Sequence, residues 1–432
     1  MFRKKNIHEF DLHGKRVLLR ADYNVPLEKD GSVASSYRIE QSLPTISALQ
    51  EKGCQIVIIS HLGRPKGPDD KSCSLKPIAR ELSKLLNQSV LFVPECVGDS
   101  VKRATADMQA GDIVMLENVR FHPEEEKNDE SFAKAIIEST GAEVFVQDGF
   151  GVVHRAHATT DAIARQIPAV AGLLLEHEVD TITRVMSEPA HPLMAIIGGA
   201  KIADKIDIIH KFLDTADIVV IGGAMANTFL KAQGVEVGDS LVDDEELDTA
   251  HDIMNKVRRV SKERNFVFYL PQDGVVATKL DKQTETRIVD WDAQVIADIE
   301  AYPRRPKAEA SHVRDREKIL DIGPFSGAFI AGAAQMVNTV VWNGTMGVTE
   351  VSAVHGPVGP FSHGTELVID ALVGKYGHRP FSLLGGGDTA GYVEERGMND
   401  MFNHVSTGGG ASLELMAGRD LPGVSVLWDK DS

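Results

Sequence analysis

Two α/β domains, each a doubly wound parallel sheet of the Rossmann-like kind, joined by a long helix, follow from three features of this 432-residue chain. Short apolar runs rich in β-branched residues alternate with helix-length segments. Those runs are continuously hydrophobic, the pattern of strands buried on both faces and hence of parallel βαβ units. The length also exceeds what one hydrophobic core usually serves, so two domains of similar size are expected.

In order, the first half carries RVLLR (16–20), CQIVIIS (54–60), VLFV (90–93), DIVML (112–116) and EVFVQ (143–147) as strands. The second half carries MAIIGG (194–199), DIVVIGG (217–223), FVFYL (266–270), TVVW (339–342) and FSLLGGG (381–387). Between the halves, residues 167–192 hold a long helical pattern closed by Pro189 and Pro192. The expected division is a first domain over 1–171, a linking helix over 172–186 and a second domain over 187–415. Hinges are expected beside that helix and near 390–415.

A net charge of -17 argues against a general nucleic-acid binder, so a site for an anionic ligand must be a local basic patch on an acidic body. Cys54, Cys73 and Cys96 are odd in number and widely spaced, without a CxxC or a local Cys/His cluster, and read as small apolar side chains. The basic opening MFRKKNIHEFDLHGKR has no apolar stretch behind it, and the longest apolar runs are too short to span a bilayer. The expectation is a cytoplasmic protein with no membrane partner.

Open parallel sheets bind ligands beyond the carboxyl ends of their strands. In the first half those positions hold Arg20, Asp22 and Asn24, then His61 and Arg64, then Arg120, then His154, Arg155 and His157, with Arg38 in a polar stretch, SSYRIE, expected as loop. Arginines and histidines at successive strand ends describe a pocket for a small, multiply anionic molecule. The second half instead offers GGAKIADK, GGAMANT, WNGTMG, GGGDT and STGGGAS, in which glycines are joined by Lys201, Lys205 and Asp388. Glycine-rich turns entering helices suit a polyphosphate, with lysine for phosphate and aspartate for Mg²⁺. The helix after the triple glycine is expected from Ala390 onward. Neither Gly14-Lys15 nor Gly374-Lys375 completes a Walker A loop.

The ordered series RADYNVP, SHLGRP, ENVRF, DGFGVVHRAHA, GGAKIADKI, LPQDGVVA, DIGP, WNGTMGVTE, GGGDTA and VSTGGGASLE resembles the phosphoglycerate kinases. The resemblance implies a first domain that binds 3-phosphoglycerate or 1,3-bisphosphoglycerate and a second that binds MgADP or MgATP. Residues 416–432 then return to the first domain. It implies reversible phosphoryl transfer between 1,3-bisphosphoglycerate and ADP by a monomer. By the same resemblance Arg38 and Lys201 stabilise the phosphoryl group in flight. Asp22, Asn24, Arg38, His61, Arg64, Arg120 and Arg155 hold the phosphoglycerate. Lys201, Lys205, Gly222, Gly223, Asn343, Glu350, Gly385, Gly386, Gly387, Asp388 and Thr389 form the nucleotide site, with Glu350 at the ribose and Asp388 on Mg²⁺. The chemistry fits the residues: a carboxylate acceptor is already ionised near neutral pH, so no catalytic base is needed.

Gln147, Gly149, Val152, Val153, Ala224, Asn227, Thr345 and Thr349 depart from the family's pattern, which bears on nucleotide preference. Two other functions share such a fold. An NAD-dependent dehydrogenase would need a clean GxGxxG after its first strand, and a non-catalytic scaffold need not keep Arg38, Lys201 and Asp388 together. The polar stretch 280–317, which includes Arg304, Arg305, Lys307, Glu309, Arg314, Asp315, Arg316 and Glu317, is the least strand-like part of the second half and reads as a solvated surface insertion.

Overall fold

The computed structural model describes residues 2–67, 69–291 and 312–430. The chain divides into two compact units, Met1–Arg184 with Thr407–Ser432, and Val185–Ser406.

The first unit is built on β1 (Arg16–Arg20), β2 (Gln55–Ile59), β3 (Val90–Val93), β4 (Ile113–Leu116), β5 (Val144–Gln147) and β6 (Ala169–Ala171). These form one six-stranded sheet in the order β3-β4-β2-β1-β5-β6, with every pairing parallel. Its crossovers are α1 (Tyr37–Glu51), α2 (Lys76–Leu86), α3 (Asp99–Ala106) and α4 (Glu130–Thr140), and α5 (Leu173–Ser187) follows β6. Local chemistry sets their ends. The Asp129 side chain accepts from Phe132 N to start α4, and Gly141, at φ +65°, stops it in the left-handed conformation that a side chain resists. The apolar face of α2, Ile78, Ala79 and Leu82, joins Val17, Ile56 and Ile113 in one core. On the edge strand β3, Leu91 reaches solvent.

The second unit has β7 (Leu193–Ile197), β8 (Ile218–Ile221), β9 (Val267–Tyr269), β10 (Asp273–Ala277), β11 (Arg287–Asp290), β12 (Lys318–Ile322), β13 (Thr339–Asn343), β14 (Phe381–Gly385) and β15 (His404–Val405). A six-stranded parallel sheet runs β15-β14-β13-β7-β8-β9. The helices are α6 (Ile206–Thr215), α7 (Met225–Ala232), α8 (Leu247–Glu263), α9 (Pro324–Ala334), α10 (His363–Leu372) and α11 (Gly387–Glu395). Trp342, Ile196, Leu384 and Val368 centre its core. Two helices, α12 (Gly409–Met416) and α13 (Pro422–Ser425), belong to the first unit.

All the apolar runs read as strands are strands, and the two parallel sheets are the α/β architecture expected. Four details differ. Arg38 is the second residue of α1 rather than a loop residue. The triple-glycine helix starts at Gly387, which brings Asp388 and Thr389 into its first turn. The return to the first unit starts at Thr407, not after 415: Thr407 N–H and its hydroxyl both donate to Glu178 Oε1, at 2.6 and 2.8 Å. Finally, the stretch 280–317, read as the least strand-like, nevertheless holds a strand. A three-stranded antiparallel sheet, β11-β10-β12, takes β11 from it, because Val289 and Val313 are buried with Val276 in a small core of their own. Glu317, expected as a solvated charge, is buried and accepts from Arg287 Nη2 at 2.5 Å and from Arg314 N at 2.8 Å. Arg304, Arg305, Lys307 and Glu309 lie outside the described residues.

Candidate active site

In each sheet the chain reverses its direction of winding at one point, between β1 and β5 in the first unit and between β7 and β13 in the second. The crevice beyond the carboxyl ends at such a point is where open α/β sheets hold ligands. Both constellations read from the sequence gather there, each within its own unit.

In the first unit β1 ends on Arg20, a buried guanidinium that donates to Thr159 Oγ1 (3.0 Å), the Ala21 carbonyl (2.5 Å) and His61 Nδ1 (3.3 Å). Asp22, also buried, accepts from Arg38 Nη1 at 2.9 Å. The exposed Asn24 accepts from Gly63 N at 2.8 Å, and the Gly63 carbonyl accepts from Arg120 Nη1 at 2.8 Å. One glycine thus ties the loops after β1 and β2 to the turn after β4. That turn, Val119–Phe121, is capped by Asn118, which accepts from Arg120 N at 3.0 Å. Arg155 is exposed and donates to His154 Nε2 at 3.1 Å. Arg64 is exposed and has no side-chain partner among the described residues. Gly151 is required for close approach, since a Cβ there would lie 2.0 Å from Asp22 Oδ2.

Burial governs protonation. His61 is pushed well below the ordinary histidine value by burial and then by Arg20, Arg120 and Arg38. His157 is pushed down to about 4, by burial first and then by Arg120 and Arg20. Both are neutral near pH 7. Glu125 is a residue that sequence reasoning missed: it is buried, accepts from Thr159 N (3.0 Å) and Thr159 Oγ1 (2.6 Å), and its charge acts on Arg20. In an acidic run, PEEEK, no local pattern separates the buried carboxylate from its solvated neighbours. Asp148 was missed as well. Its Oδ1 accepts from Leu174 N and Leu175 N, at 3.0 and 3.2 Å, at the start of α5, and burial raises its pKa to about 6.

In the second unit, the loops after β7, β8, β13 and β14 pack backbone against backbone. Gly198 N donates to the Asn343 carbonyl at 2.8 Å. A Cβ on Gly344 would come within 2.4 Å of Gly198, and one on Gly223 within 2.5 Å of Gly199 N. Gly222 faces the end of the Met346 side chain, whose sulfur lies 2.5 Å from where a Cβ would be. Lys205, just before α6, donates to Asn343 Oδ1, and burial pushes its pKa down to about 8 against the opposing pull of Asp388 and Asp204.

The three consecutive glycines divide the work. Gly385 ends β14, and Gly386, at φ +89°, turns the chain with Asn343 packed 3.0 Å from where its Cβ would be. Around Gly387 a Cβ would meet nothing within 4 Å, so its face at the head of α11 is open. Asp388 beside it is exposed and without a side-chain partner among the described residues. Thr389 is buried and accepts from Gly344 N at 2.7 Å, which holds the β13 and β14 loops together. Lys201 and Glu350 are exposed, again without side-chain partners among the described residues. Of the departures from the family pattern, Asn227 is buried and donates to the Leu241 carbonyl, and Thr345 donates to the Gly347 carbonyl.

The arrangement can hold anions in two ways: by guanidinium groups in the first unit, and by an open helix start with lysines and a free carboxylate in the second. Among the described residues no helix is long and apolar enough to cross a membrane.

Comparison with known proteins gives one answer. The family model for phosphoglycerate kinase matches residues 7–419. The phosphoglycerate kinase of Pelotomaculum thermopropionicum is 44% identical over 427 residues, 99% of this chain and all of that protein. That of Pseudothermotoga lettingae is 42% identical over 428 residues, 99% of each chain. Among solved structures, phosphoglycerate kinase from Coxiella burnetii matches with a TM-score of 0.77 at 34% identity, over 98% of both chains. The enzyme from Pyrococcus horikoshii matches with a TM-score of 0.81 at 28% identity, over 99% of this chain and 98% of that one. With a model match over nearly its whole length and relatives of over 40% identity end to end, this chain belongs to the phosphoglycerate kinase family.

Proposed function

We propose that this enzyme transfers a phosphoryl group reversibly between 1,3-bisphosphoglycerate and ADP, giving 3-phosphoglycerate and ATP, the glycolytic step of its family. The observation that carries the proposal is the pairing of two unlike anion sites in one chain, a guanidinium cluster in the first unit and an open glycine-lined helix start in the second. A dinucleotide-dependent dehydrogenase would need a clean GxGxxG after its first strand, which RADYNVP is not, and a scaffold has no use for both sites.

Asp22, Asn24, His61, Arg64, Arg120 and Arg155 bind phosphoglycerate in this reading. Neutral His61 contributes a donor rather than a charge. Arg38 and Lys201 stabilise the charge on the transferring group, and Lys205 binds nucleotide phosphate with the N–H groups at Gly386 and Gly387. Gly222, Gly223, Asn343 and Thr389 keep the loops of that site in place, and Glu350 meets the ribose. Because the acceptor is a carboxylate, the residues have only to position the reactants and stabilise charge.

Asp388 fits a magnesium ion. It is an exposed carboxylate with no side-chain hydrogen bond among the described residues, at the open head of α11, and hard oxygen donors from one or two carboxylates plus substrate phosphates are the usual surroundings of Mg²⁺. Bound with the nucleotide, the ion would neutralise phosphate charge. The reading is of a monomer working in the cytoplasm.

A coupled assay for ATP formation from ADP and 1,3-bisphosphoglycerate is the direct test. Turnover of ordinary kinase magnitude, roughly 1–100 per second or more, is expected. Absence of turnover in folded, nucleotide-binding protein would leave the scaffold reading. Size-exclusion chromatography with light scattering checks the monomer.

A further inference from the structure

The loop after β3 and the turn after β4 bring together three ligand types that lie apart in the sequence. Glu95, Cys96 and His122 each offer one ligand atom, and these atoms lie within 4.8 Å of one another. Sequence spacing alone shows no Cys/His cluster here, because neighbours across two parallel strands need not be neighbours in the chain. β3 and β4 pair with Val93 opposite Leu116, so the segments after both strands emerge on the same edge of the sheet. We propose that Glu95, Cys96 and His122 form a binding site for a divalent cation of the zinc class, distinct from the magnesium bound with nucleotide.

The groups are already half organised. His122 Nε2 sits 3.0 Å from Glu95 Oε1, and its ring stacks on Phe132 with centroids 4.7 Å apart. Cys96 is buried and its Sγ donates to the Glu117 carbonyl at 3.0 Å, whereas Glu95 and His122 are only partly covered, which leaves an approach from solvent. A cation at about 2.0–2.3 Å from each atom takes the place of the His122–Glu95 hydrogen bond, and the three side chains adjust around it by small movements. Burial first, and then the charges of Glu95, Glu117 and Glu125, hold the Cys96 sulfur as a thiol in the metal-free protein, so a cation must displace its proton. Thiolate, imidazole and carboxylate together select a borderline ion over Mg²⁺ or Ca²⁺, and three protein ligands leave a fourth position for water.

Binding is a proton exchange. The Cys96 S–H bond breaks as the sulfur–metal bond forms, and its proton leaves to the buffer. His122 presents the Nε2 lone pair, with its ring proton moved to Nδ1 through solvent. Nothing is oxidised or reduced.

The full chain, kept reduced with a non-chelating phosphine and stripped of metal, should be titrated with Co²⁺ in the presence of excess Mg²⁺. The expected result is saturation at a single equivalent, with a thiolate-to-cobalt charge-transfer band in the near ultraviolet that Zn²⁺ displaces. Cys96→Ser and His122→Gln should each weaken binding by more than about tenfold, and Cys73→Ser should leave it unchanged. Should Cys96→Ser not unfold cooperatively, His122→Gln decides, since that side chain is partly exposed. Absence of the band in the unmutated protein, or its survival in either ligand variant, overturns the site.

Discussion

Arg20 Nη2 lies 3.3 Å from His61 Nδ1, with both side chains buried at the floor of the first unit's basic cluster. A guanidinium can only donate, so Nδ1 must accept, and the imidazole is neutral with its proton on Nε2. Burial and three nearby arginines enforce the same state. His61 can therefore serve an anionic ligand as a hydrogen-bond donor that does not switch with pH. In a pH titration followed by ¹⁵N-resolved NMR, the His61 ring should show no inflection near the ordinary value of about 6.5. A full titration there would mean that the ring charges and that Arg20 is not its partner.

Arg38 occupies the first turn of α1 and pairs with buried Asp22 at 2.9 Å. The role proposed for it in stabilising transferring charge predicts that Arg38→Ala lowers kcat by ~10³-fold or more. Loss of the ion pair leaves Asp22 without its charged partner, so a moderate loss of stability, about 1–3 kcal/mol, should accompany it. Arg38→Lys should recover stability better than activity, because a point charge does not reproduce the guanidinium fork. Steady-state kinetics beside urea unfolding separate the two effects. Near-normal kcat in Arg38→Ala would remove Arg38 from the chemistry.

Legibility in the sequence tracked burial on both faces. Strands such as RVLLR and TVVW announce themselves because a parallel sheet covered on both faces favours near-continuous apolar runs. The short β6 (Ala169–Ala171) merged into the helical pattern after it, since three small apolar residues carry no period of their own. β11 escaped because only Val289 of its four residues is buried. The charged and glycine residues of both constellations were legible as strand-end residues. Their supports were not. Thr159, Glu125 and Asp148 act through side chains that pair only once distant loops meet, and Glu317 looked like a surface acid until Arg287 arrived from across the small sheet.

Gly386 and Gly387 should respond oppositely to the same change. Gly386 is at φ +89° with Asn343 packed beside it, so Gly386→Ala should destabilise the second unit by about 1 kcal/mol or more. Gly387 has helical surroundings and open space, so Gly387→Ala should leave stability unchanged or raised by about 0.5–1 kcal/mol. In the proposed nucleotide site its methyl would nevertheless stand where phosphate approaches the helix start. The Michaelis constant for ADP should then rise several-fold in a variant that is no less stable. Unaltered nucleotide kinetics in Gly387→Ala would move the phosphates away from this turn.

If Lys205 binds nucleotide phosphate as proposed, it sets the pH dependence of nucleotide binding. Burial holds its pKa down to about 8, with Asp388 and Asp204 opposing. A polyphosphate favours the charged amine, so binding above that value must first return a proton to the free protein's lysine. Affinity for ADP should thus be flat below about pH 7.5 and then fall, approaching tenfold per pH unit once the pH is well above 8. The sign is fixed by the ligand: an anion raises the depressed pKa, so protons are taken up on binding, never released by this group. Calorimetry in two buffers of different ionisation enthalpy should show uptake approaching half a proton near pH 8 and almost none near pH 6.5. Lys205→Met should bind ADP more weakly and lose the uptake, while Asn343, its hydrogen-bond partner, should still fold in place. Affinity that stays constant from pH 7 to 9.5 in the unmutated protein, with no proton uptake, would show that Lys205 is already charged in the free enzyme.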